Sequence, residues 1–372
     1  LAFKKHFQQP AEKMKKMMSP LPNFPYYLDR LTETNLDFAL FFDISSEEPE
    51  FISSASQGES DEEFVVAPFC PEEPVVSFRG KRFSGRSAVA GEIARLLENA
   101  PAAASAAPEP SAEELEKENA AARELYFRDF SAFHAALSAK QVHKLVLSRT
   151  ELVRRKRPLT DFFASLVKAY PHAYRFFVKA GGVVLTGASP ELLCDLKDGA
   201  LRVMALAGTM PKNAEEHYEW SEKNILEQKI VTDFIAGRLK GVSETLSQTG
   251  PVTHSAGPVV HLLTLLESRL KEGTDTRTVI GLLHPTPAVC GLPQEEAMDF
   301  ILKNESYNRG FYCGYLGVVG DRSAKLYVNL RSARIEGGAA RCYGGGGLLA
   351  QSEANDEWQE TCRKISTLKE ML

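Results

Sequence analysis

Four consecutive glycines near the C-terminus, Gly344 to Gly347, constrain this chain more than any other feature. With no Cβ in the way, the backbone there can lie directly against a ligand. Before them, Leu326, Val328 and Leu330 alternate with Tyr327, Asn329 and Arg331, a strand signal. Glu336-Gly337-Gly338 turns the chain, and Ala340 to Tyr343 returns as a second strand. After the glycines a helix is predicted from near Asn355. On it Glu357, Glu360 and Lys364 share one face, while Trp358, Ile365 and Leu368 face elsewhere. One arginine, a run of N–H groups, two carboxylates and a lysine can thus converge on a small anion and a metal. Each part taken singly is commonly no more than a loop or a solvated helix face. No G-x-x-x-x-G-K-(S/T) is present, so this is not a P-loop.

The chain has 372 residues and a formal net charge of −5, enough length for a substantial core and no electrostatic footprint for nucleic acid. No apolar run approaches the roughly 18–20 residues of a membrane span. The basic N-terminal stretch LAFKKHFQQPAEKMKKMM lacks the apolar centre of a signal peptide, and it starts at Leu1 rather than Met, which leaves the native start open. Six scattered cysteines form no C-x-x-C pair, which argues against a disulfide framework or a zinc site and for a cytoplasmic protein.

Along the chain, Leu36 to Ile44 and Val75 to Phe78 read as strands, and the acidic, serine-rich Ser45 to Glu63 as an exposed loop. An Ala/Pro-rich connection follows around residues 100–110, and Ser111-Ala-Glu-Glu114 is a capping box for a helix running toward Lys140. From there HKLVLSRTELV is an alternating strand carrying Lys144. Tyr174 to Val178 and Val183 to Thr186 form a hairpin through Gly181-Gly182. Leu201 to Leu206 runs into Ala207-Gly208-Thr209, and a helix spans Glu215 to Lys240. The expected fold is α/β (α+β): a large, mainly antiparallel sheet system with helices packed outside. Residues 1–110 are a divergent N-terminal part of it and 111–372 the catalytic region.

The segment GGGGLLAQSEANDEWQETCRK resembles the closing motif of the chorismate-utilising enzymes, A-G-A-G-(I/V)-V, a spacer, then E-x-x-E-T-x-x-K. Glycine replaces both alanines here. HKLVLSR, GASPELL, LAGT, SEKNILEQKIV, VVHLLT, LHPTPAVCGLP and YNRGFYCGYLGVVG are similar to the family's upstream blocks in the same order, with Gln228 in place of the common His. The resemblance covers about residues 142–369. It implies Mg²⁺ as cofactor, held by Glu227 and Glu360 with Glu357 helping directly or through water. The ion would orient the ring carboxylate of chorismate, with His261 and Lys364 beside it. Arg331 and the N–H groups of Gly345 and Gly347 would take the enolpyruvyl carboxylate. Lys144 would activate a water for attack at C2, and Glu191 would protonate the departing C4 hydroxyl, near Gly208 and Thr209. The two are expected on opposite faces of the ring.

Within the family the departures imply isochorismate synthase, feeding menaquinone or siderophore synthesis, as a monomer that binds neither membrane nor glutaminase subunit. Anthranilate synthases typically carry Gln at the Lys144 position, and aminodeoxychorismate synthases a lysine at that of Ala207. Salicylate synthases generally carry Thr and Tyr at the positions aligned with Ala288 and Phe311, where apolar residues match an enzyme that stops before pyruvate elimination. Leu265-Leu-Glu-Ser268, similar to a feedback-site motif of anthranilate synthases, is read as coincidence within a helix. Salicylate synthase is the alternative, and a catalytically idle homologue a further one.

Overall fold

The computed structural model describes residues 27–56, 58, 62–98, 109–256 and 259–372. The basic N-terminal stretch and most of the Ala/Pro-rich connection lie outside them. The described residues open with α1 (Tyr27–Glu33), β1 (Phe38–Phe42), β2 (Glu50–Ser53), β3 (Glu63–Ala67), β4 (Val76–Arg79), β5 (Phe83–Ser84), α2 (Arg86–Glu98) and α3 (Ala112–Ser138). It continues through β6 (Lys144–Arg154), α4 (Leu159–Ala169), β7 (Tyr174–Ala180), β8 (Val183–Ser189), β9 (Leu192–Lys197), β10 (Ala200–Pro211) and α5 (Glu222–Leu239). Next come β11 (Ser243–Ala256), β12 (Val259–Leu270), α6 (Thr276–Leu283), β13 (Gly291–Leu292) and α7 (Gln294–Asn304). The chain closes with β14 (Tyr315–Gly320), β15 (Ser323–Val328), β16 (Ser332–Glu336), β17 (Ala339–Leu348) and α8 (Ala354–Lys369).

The strands form two sheets, one ordered β13-β6-β17-β16-β8-β7-β1-β2-β5 and the other β11-β12-β10-β9-β15-β14-β3-β4. Strand alternation sorts the core. Phe38, Leu40 and Phe42 of β1 face α1, α2, α4 and α8. Ala39 and Phe41 face the second sheet, meeting Phe64, Leu316 and Tyr327. On its other face the second sheet buries Leu201, Val203 and Leu266 against Val231 and Ile235 of α5. The result is two antiparallel sheets face to face with helices outside, the expected class. Residues 27–98 extend both sheets, β1, β2 and β5 lying in one and β3 and β4 in the other.

Local signals held where they were stereochemical. Ser111 caps α3 with a reciprocal Glu114 contact, and the β7–β8 turn uses Gly181 and Gly182 at φ 56° and 80°. Four readings are corrected. The acidic stretch 45–63 contains β2, whose Phe51 and Ile52 are fully buried, a span too short to rise above the surrounding charges. Leu265 to Ser268 lies in β12, paired on both sides, so it is strand and not helix. The helix expected from Glu215 begins at Glu222, because Ser221 is its N-cap, accepting from the Asn224 N–H. The four glycines are the end of β17 rather than a loop. α2, unread in the sequence, covers β1 and β2.

One buried ion pair fastens β6 to the chain that follows α6. Arg309 and Glu305 meet at 2.5 Å with side chains 2% and 1% exposed. Arg309 donates to the carbonyls of Val146 and Val289, and Glu305 accepts from both the N–H and the hydroxyl of Ser148. Removing one partner leaves the other charge buried alone. Glu305→Leu should therefore cost about 3–5 kcal/mol in urea unfolding, and the pair Glu305→Leu/Arg309→Met less than that single change. A single variant within about 1 kcal/mol of the parent would show that the pair does not hold this wall.

Candidate active site

The site is built on the glycine end of β17. Gly345 stands opposite Ser148 and Gly347 opposite Val146 of β6. Ser148 and Val146 send their N–H groups the other way, to the Glu305 carboxylate and the Cys290 carbonyl. In an antiparallel ladder these are therefore non-hydrogen-bonded pairs, and the N–H and C=O groups of Gly345 and Gly347 point away from β6. The Gly345 carbonyl accepts from Lys364 Nζ at 2.7 Å. A side chain at Gly347 would collide: a Cβ there would lie 2.2 Å from Glu227 Oε1 and 3.0 Å from Lys144 Cε. One on Gly346 would lie 3.2 Å from Glu357 Oε2 and 3.5 Å from Glu360 Oε1.

A cavity of about 60 Å³ opens beside this strand. Of the residues expected from sequence, Glu191, Gly208, Thr209, Glu227, His261, Ala288, Arg331, Gly345, Gly347 and Lys364 line it. Lys144 and Glu360 stand just behind the wall, joined to it through Glu227 and Lys364, and Glu357 stands behind Gly346, its Oε2 3.2 Å from where a Cβ there would lie. Phe311 does not reach it, packing instead against the core between the sheets. The next residue, Tyr312, lines the cavity, stacked on Tyr343 at 5.0 Å. The second apolar position assumed from the sequence is thus a tyrosine, and that inference stands on Ala288 alone. Neither Tyr312 nor Lys223 was singled out from the sequence, although Lys223 lies within the quoted SEK segment.

At one end of the cavity Arg331 is buried and sits at φ 47°, a left-handed backbone that non-glycine residues rarely adopt. It donates to Thr367 Oγ1 at 3.2 Å and to His261 Nε2 at 3.3 Å. His261 Nδ1 in turn donates to the Gly208 carbonyl at 2.9 Å. The ring is thereby fixed as the neutral tautomer, and burial together with the charges of Arg331 and Lys364 holds its pKa well below the ordinary histidine value. Gly208 forms the bulge in β10 that brings its carbonyl there, at φ 71°. Among the described residues no carboxylate lies within ion-pair distance of Arg331, so a buried guanidinium awaits an anion.

At the other end three lysine–carboxylate pairs meet. Lys144, fully buried, lies 2.9 Å from Glu227. Lys364 holds Glu360 at 2.8 Å, and Lys223 holds Glu357. Burial and the Glu360 charge push Glu357 upward. Although burial opposes it, Lys364 and then Lys223 hold Glu360 low. The Lys223 ammonium feels all three carboxylates, and against its burial they raise its pKa. Glu357 Oε2 is buried with no hydrogen-bond partner. Among the described residues no three metal-ligating side chains are close enough to hold an ion as they stand. The donor chemistry, three carboxylates gathered round one cation with an oxygen left over, nevertheless fits a hard divalent ion such as Mg²⁺. Gln228 ties this turn of α5 to β10 and β12, donating to the Ala205 carbonyl and Thr264 Oγ1 at 3.0 Å each.

Glu191 differs from these carboxylates. It is 2% exposed, its Oε1 has no partner, and burial pushes its pKa up to about 8, against the opposing pull of Lys144 and Lys364. At neutral pH it is a proton donor facing the cavity.

Fold and site together place an unpaired guanidinium, Arg331, and a protonated carboxyl, Glu191, on the wall of one cavity between the sheets' charged elements. Residues 83–372 match the family model described as chorismate binding enzyme, and the chain belongs to that family. It is 30% identical over 270 residues to isochorismate synthase MenF of Bacillus subtilis (strain 168), covering 69% of this chain and 56% of that one. The chain thus spans little more than half the length of that relative. In fold it is similar to MenF, the menaquinone-specific isochorismate synthase from Escherichia coli, with a TM-score of 0.74, 21% identity, and 96% and 92% of the two chains covered. Anthranilate synthase component I from Streptococcus pneumoniae TIGR4 follows at TM-score 0.64 and 18% identity, covering 89% of this chain and 90% of that one. The architecture is common to different chemistries, so the site has to decide between them.

The raised pKa of Glu191 makes a stability prediction. Below about pH 4.5 the carboxyl is protonated in both folded and unfolded chains. Between there and about pH 8 folding must take up a proton, so its contribution to stability is lost as pH rises through that window. Glu191→Gln removes this dependence, and its melting temperature should gain on the parent steadily from pH 5 to pH 8. Parallel melting curves across that range would show that Glu191 is ionised in the folded protein.

Proposed function

We propose that this protein is an isochorismate synthase, converting chorismate to isochorismate. The observation that carries the reading is Glu191: a buried carboxyl, protonated at neutral pH, on the same cavity wall system as the anion-free guanidinium of Arg331. Support comes from the curated relative named above and from Lys144, which stands where an ammonia-using enzyme of the family would carry Gln.

Arg331, steadied by His261 and Thr367, takes one substrate carboxylate bidentately, and the outward N–H groups of Gly345 and Gly347 add donors beside it. Lys364, already on the Gly345 carbonyl, steadies that subsite. A water attacks C2 and gives up a proton to Lys144, while Glu191 delivers a proton to the C4 hydroxyl as its C–O bond breaks and the double bond shifts. One water enters and one leaves, so the reaction is an isomerisation without redox change. To accept that proton Lys144 must be neutral, so its ammonium has first to give up a proton and with it the ion pair to Glu227. Mg²⁺, held by Glu227 and Glu360 with Glu357 in support, would neutralise and orient the ring carboxylate. Six cysteines without a disulfide fit a reducing cytoplasm.

Tyr312 favours one second reading. A phenol on the cavity wall stands close to where the salicylate synthases carry their tyrosine, and such an enzyme would go on to release pyruvate. Purified protein with chorismate and Mg²⁺ should yield isochorismate by chromatography and mass, with little pyruvate in a lactate-dehydrogenase-coupled assay. Stoichiometric pyruvate would move the protein to the salicylate class.

Lys144→Ala and Glu191→Gln should each lower kcat by about 100-fold or more, with KM changed far less. Near-normal turnover by Lys144→Ala would place the base elsewhere.

A further inference from the structure

Behind Arg331 lies a second compartment of about 250 Å³, larger than the cavity it adjoins. The two share Pro190 and Arg331 as a common wall. Its inner end is buried, formed by Ala188, Thr367 and Arg331, whereas its outer rim, Pro171, His172, Lys212 and Ser255, is exposed. It therefore runs from the surface to the guanidinium that has no anion. Its walls carry no Asp or Glu. The charged side chains on them are Arg331 and Lys212, joined by the protonatable His172 and by the Tyr170 phenol, in a protein of net charge −5. Lys212, directly after β10, has the exposed Glu216 at 3.8 Å as its one ion-pair partner among the described residues.

A concave path lined by one sign of charge focuses the field and raises the local concentration of the opposite ion. We infer that this compartment is the vestibule through which a carboxylate-bearing substrate reaches Arg331, with Lys212 as the outer guide that hands the anion inward. The inference rests on the proposed use of chorismate, a dicarboxylate, and adds to it the side from which the substrate arrives and a residue outside the catalytic cavity that sets its capture. Lys212 touches no reacting atom, so its contribution belongs to association and not to the chemical step.

The experiment measures kcat and kcat/KM for chorismate against NaCl from about 0.02 to about 0.3 M, where screening grows steeply. The proteins are the parent, Lys212→Gln, Lys212→Glu and Arg322→Glu, the last on the β14–β15 turn and on neither compartment's wall. Lys212→Glu should lower kcat/KM about 10-fold at low salt with kcat within about 2-fold, Lys212→Gln should fall between, and the differences should shrink as salt rises. Arg322→Glu should follow the parent. Turnover by the parent with kcat/KM unchanged in Lys212→Glu, or an equal loss in Arg322→Glu, overturns the vestibule and leaves the proposed reaction standing. A parent that does not convert chorismate overturns the reaction, and the vestibule with it.

Discussion

The site depends on a four-residue run of strand that carries no side chains. Between Gly344 and Gly347, β17 stays in register with β6, so its geometry is fixed by the ladder and not by local preference. Glycine is a poor strand former by itself. It is used here because a Cβ at Gly344 or Gly347 would collide with its neighbours and one at Gly346 would press on two carboxylates. Glu227 and Lys144 crowd Gly347, Glu357 and Glu360 crowd Gly346, and Ile365 and the Thr361 carbonyl crowd Gly344. The ladder supplies order while the missing side chains supply room for charges from α5, α8 and β6 to meet.

Those charges would be a liability in an ordinary core. A buried lysine such as Lys144 is tolerated through Glu227, and Glu360 through Lys364, yet each pair is only partly compensated by its surroundings. Lys144 Nζ has no well-directed hydrogen bond despite its 2.9 Å contact with Glu227, and one oxygen each of Glu191 and Glu357 is left over. Arg331 adds a left-handed backbone and an unpaired charge. Orphaned atoms, strain and buried like charges collect in one place, which is how a binding site differs from a structural polar network. Arg309 and Glu305, as deeply buried, instead spend their hydrogen bonds on named carbonyls and on Ser148.

Much of this was legible in the sequence where stereochemistry speaks locally. The α3 capping box, the Gly181-Gly182 turn and the placement of Glu357, Glu360 and Lys364 on one helix face are each set by spacing or by a single residue's backbone freedom. What stayed hidden depends on partners far along the chain. Leu265 to Ser268 has a composition that suits a helix, and only pairing with β10 and β11 on either side makes it strand. The glycines read as a loop because nothing within them demands extension, and β6 imposes it. Phe311 and Tyr312 were confused because adjacent residues in an irregular turn point different ways. Cys313, with φ 65°, reverses the chain just after them, and spacing alone does not show which ring faces inward. Lys223 escaped notice because its role exists only where α5 meets α8.

The size of the catalytic cavity adds a constraint on motion. About 60 Å³ is far below the ~300 Å³ or more usual for a ligand site. A substrate with a ring and two carboxylates needs the walls to separate. The wall formed by β6, Val289 and Tyr312 is clamped by Arg309, Glu305 and the stacking of Tyr312 on Tyr343. On the opposite side, residues 212–219 are almost wholly exposed, and Asn213 bonds only within the segment, to Tyr218 and His217. The first turns of α5 that follow leave Ile225 and Leu226 half exposed. The start of α5 is therefore the least fastened part of the cavity's surroundings, with Gln228 as the point where that helix is tied to β10 and β12. Lys223 and Glu227 lie on this stretch. A movement that admits substrate also alters the contacts of Glu227 with Lys144 and of Lys223 with Glu357, so making room for the ring and rearranging the charges around it become one physical event.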